Sequence, residues 1–119
     1  MLDDFTPIEQ VSELQIIDRV EGTGDAVAAG ATVTVDYIGA IAATGHVFQS
    51  SKDFGKPITF GLGQVIQGWG DGIPGMKVGG TRRLIIPAEM AYGSRPPYGS
   101  GIPADAPLVF DVTLHAIET

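Results

Sequence analysis

Apolar and polar residues alternate along several segments of the chain, which predicts a largely β protein. The clearest alternation covers residues 32–41, where Val33, Val35 and Tyr37 fall on one face and threonines and an aspartate on the other. Further strands are predicted at residues 14–20, 47–49, 58–62, 81–86 and 108–117. The period of two is typical of half-buried antiparallel strands.

One helix is predicted over residues 66–76, although local propensity opposes it. The segment contains Pro74 and several glycines, and each glycine costs about 1 kcal/mol relative to alanine in a helix interior. Ile66, Trp69 and Ile73 recur every three or four residues, so tertiary packing of this apolar side must hold the helix. Glycines on the other side would let it lie close against a sheet. Several strands with one short helix predict an α+β fold.

The other segments are interpreted as loops. Residues 50–56 are polar, and residues 87–106 form a long stretch rich in glycine, proline and serine. Loops of that length are functional or disordered. The bulky residues Tyr92, Tyr98 and Ile102 in this stretch favour a functional loop.

The first twelve residues differ from the rest because they are acidic and weakly periodic. We interpret residues 1–12 as an N-terminal extension and residues 13–119 as a single domain, with no internal repeat. A mobile tail without function is the simpler interpretation of the extension. Addition of a strand to a sheet edge is the alternative.

Composition excludes several classes of function. Fourteen acidic and seven basic side chains give a formal charge of -7, which argues against nucleic acid and anionic membranes as partners. The adjacent Arg82 and Arg83 fall on opposite faces of a strand and form no basic patch. Without cysteine there is no disulfide or thiolate chemistry. No membrane helix or secretion signal is predicted, so we expect a cytoplasmic protein, or an extracytoplasmic one if a leader was removed.

Reactive constellations are absent from the sequence. His46 and His115 are the two histidines and do not have metal-ligand spacing, so we expect no metal and no cofactor. No phosphate-binding loop, dinucleotide fingerprint or nucleophile elbow occurs. The chemistry must therefore depend on binding.

Aromatic residues are the best candidates for such a binding site. They occur in the predicted strands, in the helix and in the long loop: Tyr37, Phe48, Phe60, Trp69, Tyr92, Tyr98 and Phe110. A simple hydrophobic core explains most of them. Two observations favour a binding cup instead, because Tyr92 and Tyr98 occur in a loop and glycines flank Trp69.

An apolar cup suits one slow process, rotation about the X–Pro bond. Amide resonance gives this rotation a barrier of about 18–20 kcal/mol. Water stabilises the planar, dipolar form better than the twisted form. A pocket that displaces this water and grips the twisted form would lower the barrier without moving a proton.

Three motifs, in this order, closely resemble the FKBP-type peptidyl-prolyl isomerases: Val65-Ile66-Gln67-Gly68-Trp69, Ala91-Tyr92-Gly93 and Leu108-Val109-Phe110-Asp111-Val112. The resemblance extends over nearly the whole chain. It implies a strongly curved antiparallel sheet around one short helix, and a monomeric isomerase that acts on peptides and unfolded proteins. It also implies binding of rapamycin-like macrolides. A non-catalytic module of this fold that binds proline-containing or hydrophobic peptides is the alternative, and an unrelated small β-rich interaction domain is the third.

The resemblance also implies roles for individual residues. Trp69 would form the floor beneath the proline ring, the Ile66 amide and the Tyr92 hydroxyl would bond ligand carbonyls, and Ile102 would close the loop side. The residues implied in catalysis are Tyr37, Phe48, Trp69, Tyr92 and Phe110. The residues implied in binding substrate or macrolide are Gln49, Ile58, Phe60, Val65, Ile66, Tyr98 and Ile102.

Four positions depart from the family pattern. Gln49 stands where the family usually has Asp, and Phe54 where many members have the Arg that pairs with it, so both halves of an ion pair are absent together. Ile58 replaces a frequent aromatic residue, and Tyr98 replaces a His or similar residue. Gln49 can still hydrogen-bond Tyr37, but as a neutral group. We therefore expect weaker macrolide binding and retained isomerase activity.

Overall fold

A computed structural model describes residues 2 and 4–118, and whatever the sequence predicts for Met1, Asp3 and Thr119 lies outside the described residues. Six strands form one antiparallel sheet: β1 (Gln15–Val20), β2 (Thr32–Ile41), β3 (Val47–Ser50), β4 (Ile58–Gly61), β5 (Thr81–Ile86) and β6 (Leu108–Ile117). They lie in the order β1-β5-β6-β2-β3, and β4 also pairs with β2.

The helical elements are short. The described residues also form one α-helix, α1 (Gln67–Gly72), and two 3₁₀ helices, Ser51–Phe54 and Ala88–Met90. The curved sheet with one short helix confirms the predicted α+β fold. None of these helices is long and apolar enough to cross a membrane.

The α-helix is shorter than predicted, so the expected span of residues 66–76 was wrong in length. It ends at Gly72, and Ile73 is its C-cap. Pro74 has no amide hydrogen to continue the ladder of hydrogen bonds. Gly75 then takes a left-handed conformation with φ of 89°, which turns the chain away from the helix axis.

Glycines bring α1 close to the inner face of the sheet. A Cβ atom on Gly68 would lie 2.5 Å from Cδ1 of Ile86, and one on Gly72 would lie 2.7 Å from Cδ2 of Leu84. A larger residue at Gly68 would force Ile86 or the helix to move, and one at Gly72 would displace the end of the Leu84 side chain. The predicted close approach of helix and sheet is therefore present, and it buries Trp69 in the main core.

The outer face of the sheet carries a second apolar cluster, which the N-terminal segment covers. Its buried members are Leu2, Phe5, Val11, Ala40, Ala42, Ile85 and Val109. The Leu2 amide donates to the Gly45 carbonyl, and the Ile8 amide donates to the Ala42 carbonyl, both at 2.7 Å. Residues 2 and 4–11 are therefore packed on the sheet and add no strand to it. The predicted boundary between residues 12 and 13 stays a prediction.

The two adjacent arginines lie on opposite faces of β5. Arg82 points to the helix side, where Nε donates to Asp18 at 2.6 Å and Nη1 to the Gly72 carbonyl at 2.9 Å. Arg83 points to the outer face and makes a bidentate pair with Asp111, at 2.7 and 2.8 Å. Its guanidinium also lies 5.6 Å from the ring centroid of Phe5. This cation–π contact anchors the N-terminal segment.

The buried Phe5 ring gives a direct test of this packing. Phe5→Ala should lower the free energy of unfolding by about 3 kcal/mol, because it leaves a cavity against the sheet. Urea denaturation measures the change. The neighbouring exposed residue supplies the control, since Thr6→Ala should stay within about 0.5 kcal/mol of the parent. Equal stability of the two variants would show that the segment contributes nothing to the fold.

Candidate functional site

A cavity of about 610 Å³ opens between α1 and the inner face of the sheet. Of the site residues that the sequence predicts, the structure brings the following to its lining: Tyr37, Gln49, Ile58, Phe60, Val65, Ile66, Trp69, Tyr92 and Phe110. They come from four strands, the helix, the turn before it and the long loop. Residues far apart in the chain therefore converge on one hollow.

Trp69 occupies the centre of the cavity floor. Its ring packs edge-on against three others, with centroid distances of 5.3 Å to Tyr37, 5.1 Å to Phe60 and 5.4 Å to Phe110. The interplanar angles of 79° to 88° are those that aromatic quadrupoles favour. Only 4% of Trp69 is exposed, and the residue lines the cavity. The floor is thus an apolar surface whose side chains are fixed by their neighbours.

Phe48 is not among the lining residues, but its ring packs against Phe110 of the floor. Its ring lies 5.8 Å from Phe110 at an interplanar angle of 88°. Gly39 makes room for both rings, since a Cβ atom there would lie 2.6 Å from Cε1 of Phe110 and 2.9 Å from Cζ of Phe48. The absence of a side chain at Gly39 therefore lets two rings lie against β2.

Two predicted site residues of the long loop do not reach the cavity. Ile102 is buried in the main core, and Tyr98 is fully exposed. The Asp105 amide donates to the Gly93 carbonyl at 2.7 Å, which closes the base of the loop. This closure leaves Tyr92 at the cavity and Tyr98 beyond it.

The lining also includes Phe54 and Gln64, which the sequence did not identify as site residues. Phe54 ends the 3₁₀ helix Ser51–Phe54 and is 53% exposed. Phe54 could have been identified as a site residue because it is a bulky apolar residue within the polar segment 50–56. Gln64 lies in the turn between β4 and α1, where nothing in the pattern distinguishes it.

The polar groups at the cavity are neutral donors and acceptors. Burial raises the pKa of Tyr92 above its ordinary value, and the pKa of Tyr37 is raised first by burial and then by Tyr92 and Asp53. Both hydroxyls therefore keep their protons at neutral pH. The expected hydrogen bond from Tyr37 to Gln49 is not among those that the described residues form.

Backbone and indole groups add two further donors near the floor. Ile66 is the N-cap of α1, so its amide lies outside the hydrogen bonding of the helix. The indole Nε1 of Trp69 is buried and has no hydrogen-bond partner within the described part of the chain. Among the residues that the structure describes, no carboxylate, imidazole or amine lines the cavity. The site can hold an apolar ligand and orient its carbonyls, but it has no group suited to acid–base chemistry.

Comparison with known proteins identifies related chains. Residues 24–115 match the family model of the FKBP-type peptidyl-prolyl cis-trans isomerase. A protein of Streptomyces anulatus named FK506-binding protein is 46% identical over 116 residues, which cover 96% of this chain and 94% of that protein. FK506-binding protein 4 of Gibberella zeae is 47% identical over 115 residues, which cover 95% of this chain but 22% of that protein.

Solved structures agree with these sequence matches. A peptidyl-prolyl cis-trans isomerase from Pseudomonas syringae has a TM-score of 0.80 at 31% identity, over 94% of this chain and 80% of that one. AtFKBP13 has a TM-score of 0.78 at 38% identity, over 87% of this chain and 92% of that one. Sequence and fold therefore point to the same family of proteins.

Proposed function

The chain belongs to the family of FKBP-type peptidyl-prolyl cis-trans isomerases, and we propose that the cavity above Trp69 is where it accelerates X–Pro rotation. The observation that supports this site is the edge-on packing of Tyr37, Phe60 and Phe110 around the indole. A pyrrolidine ring is compact and apolar, and the floor offers it an apolar surface of similar size. Proline-containing peptides and unfolded proteins are the substrates.

The chemistry needs only selective binding of the twisted bond. Resonance makes the planar imide dipolar, and water stabilises that dipole. In the apolar cavity this stabilisation is lost. The twisted form has a smaller dipole, so it loses less stabilisation than the planar form. Differential stabilisation of this kind lowers the barrier of about 18–20 kcal/mol without a covalent step.

Neutral donors complete the proposed mechanism. The Tyr92 hydroxyl and the Ile66 amide are suited to bond the carbonyls on either side of the proline. Because burial raises the pKa of Tyr92, its hydroxyl donates across the neutral pH range. Holding the carbonyls orients the peptide for rotation about the X–Pro bond, and no proton is transferred.

The test of this function is the isomerisation rate of a short X–Pro peptide in a protease-coupled assay. The parent protein should accelerate isomerisation, and Trp69→Leu should lower kcat/KM by at least about tenfold, a loss of about 1.4 kcal/mol of transition-state stabilisation. Phe5→Ala is the matched control, since it removes a ring from the outer face and should keep the parent kcat/KM where folded. A folded parent protein that binds the peptide without accelerating isomerisation would identify a non-catalytic binding module.

We also propose that the cavity binds FK506-like and rapamycin-like macrolides, with lower affinity than typical family members. The similarity to a protein named FK506-binding protein supports the ligand class. The lower affinity follows from the cavity rim, where Gln49 and Phe54 supply no charge. A neutral acceptor forms a hydrogen bond about half as strong as an ionised one. Cytoplasmic location and a monomeric state stay predictions.

Restoring the charge should tighten macrolide binding. Gln49→Asp supplies an ionised acceptor within the lining, and we expect the Kd for rapamycin to fall about three- to tenfold. Titration of Trp69 fluorescence measures it. The control is Gln64→Glu, which adds the same charge at the other lining glutamine. A Gln49→Asp variant that binds no more tightly than the control would refute the explanation.

A further inference from the structure

The strand pairing along one edge of β2 has a gap at Asp36 and Tyr37. On this edge β4 pairs with residues 32–35 of β2, and β3 pairs with residues 38–40. Neither strand pairs with Asp36 and Tyr37. At this point the chain leaves β3 and forms the 3₁₀ helix Ser51–Phe54. A backbone amide at a sheet edge needs another partner in such a gap.

Ser51 fills this gap with its side chain. Its Oγ accepts a hydrogen bond from the Tyr37 amide at 3.1 Å and donates one to Oδ1 of Asp36 at 2.7 Å. The residue is only 2% exposed, so its bond to the Tyr37 amide is shielded from water, while its bond to Asp36 is partly buried. The hydroxyl therefore joins the 3₁₀ helix to the strand that carries the Tyr37 ring.

His115 holds the other oxygen of Asp36. In the pairing of β2 with β6, Thr34 lies opposite Ala116 and Val35 opposite Leu114, so His115 is the extra residue of a β-bulge. Bulges redirect side chains. Here Nε2 of His115 lies 2.6 Å from Oδ2 of Asp36.

The carboxylate of Asp36 is ionised at neutral pH, and these contacts further favour its charged form. The Ser51 hydroxyl, followed by the His115 ring, lowers its pKa, while burial opposes this and Lys52 adds a small attraction. An ionised carboxylate can accept both hydrogen bonds at once. Three segments of the chain thus meet at one side chain.

The 3₁₀ helix is itself a rigid unit. Its capping box links the Ser50 hydroxyl to the Lys52 amide and the Asp53 carboxylate to the Ser50 amide. Gly55 ends it in a left-handed conformation. Gln49 and Phe54, on either side of Ser51, both line the cavity. Moving Ser51 would therefore move this wall of the cavity as a whole.

We propose that Asp36 and Ser51, supported by His115, are positioning residues that set the distance of the Phe54 wall from the Trp69 floor. Neither Asp36 nor Ser51 lines the cavity, so they act through Phe54 and the Tyr37 backbone. The inference depends on the function proposed above, because the wall matters only if substrate binds between it and the floor.

Single variants test the proposal first. Asp36→Ala removes the acceptor while Ser51 can still bond the Tyr37 amide, and it should lower kcat/KM about three- to tenfold. Asp36→Asn keeps an oxygen for the Ser51 hydroxyl and should recover most of the loss. Thr81→Val is the control, because it breaks a side-chain hydrogen bond to Thr113 on the same face without touching the 3₁₀ helix. It should leave kcat/KM within about twofold of the parent.

A double-mutant cycle separates positioning from a general loss of stability. In a Phe54→Ala background the wall has lost its ring, so Asp36→Ala should then change kcat/KM by less than about twofold. Multiplicative losses, full activity of folded Asp36→Ala, or an equal loss in Thr81→Val would each overturn the proposal.

The same variants are titrated with the X–Pro peptide by Trp69 fluorescence. Asp36→Ala should raise the Kd only when Phe54 is present. If the parent protein binds but proves inactive, the function proposed above fails, and the Kd cycle still decides whether Asp36 positions the wall. If Asp36→Ala instead raises the Kd by the same factor with and without the Phe54 ring, the positioning proposal is overturned.

Discussion

The close packing of α1 on β5 is the constraint on which the rest of the structure depends. A Cβ atom on Gly68 or Gly72 would lie within 2.7 Å of side-chain atoms of Ile86 or Leu84, so glycine at both positions allows the close approach. The helix is only six residues long and contains three glycines, so its own propensity cannot hold it. Burial against the sheet stabilises it instead, and this burial sets the indole of Trp69 at the cavity floor.

An apolar floor is well suited to a reaction whose barrier comes from resonance. Most enzymes must deliver a proton, a nucleophile or a metal to the reacting atom. Rotation about an imide requires none of these, so the protein needs shape, dryness and a few neutral donors. The hydroxyls of Tyr37 and Tyr92 fit this requirement, because partial burial of these side chains makes them harder to ionise. The reactive groups of the chain, such as His115 and Asp36, lie away from the cavity lining and serve the scaffold.

All six strands were predicted close to their observed bounds, and clear alternation supports β2 and β6, because a half-buried strand repeats every two residues. The place of Trp69 at the cavity floor was implied by the family resemblance, whereas the residue pattern alone is also explained by a simple hydrophobic core. The outer cluster was harder to predict. Its members Leu2, Phe5 and Val11 follow no regular period, and they belong to a segment without secondary structure. Side-chain direction in loops was not predictable either. The structure places Tyr98 in solvent and Phe54 in the cavity lining, and closure of the long loop at Gly93 leaves Tyr98 beyond the cavity.

The central claim is that isomerisation at this site transfers no proton. The most direct measurement is kcat/KM for an uncharged X–Pro peptide in H₂O and D₂O between about pH 6 and pH 9. Both tyrosine pKa values are raised above an ordinary value of about 10, so these hydroxyls do not titrate in that range. The account predicts a flat profile and a solvent isotope ratio of about 1, because no proton moves in the transition state. A ratio of about 2 or more, or a rate that follows the titration of one group, would contradict it.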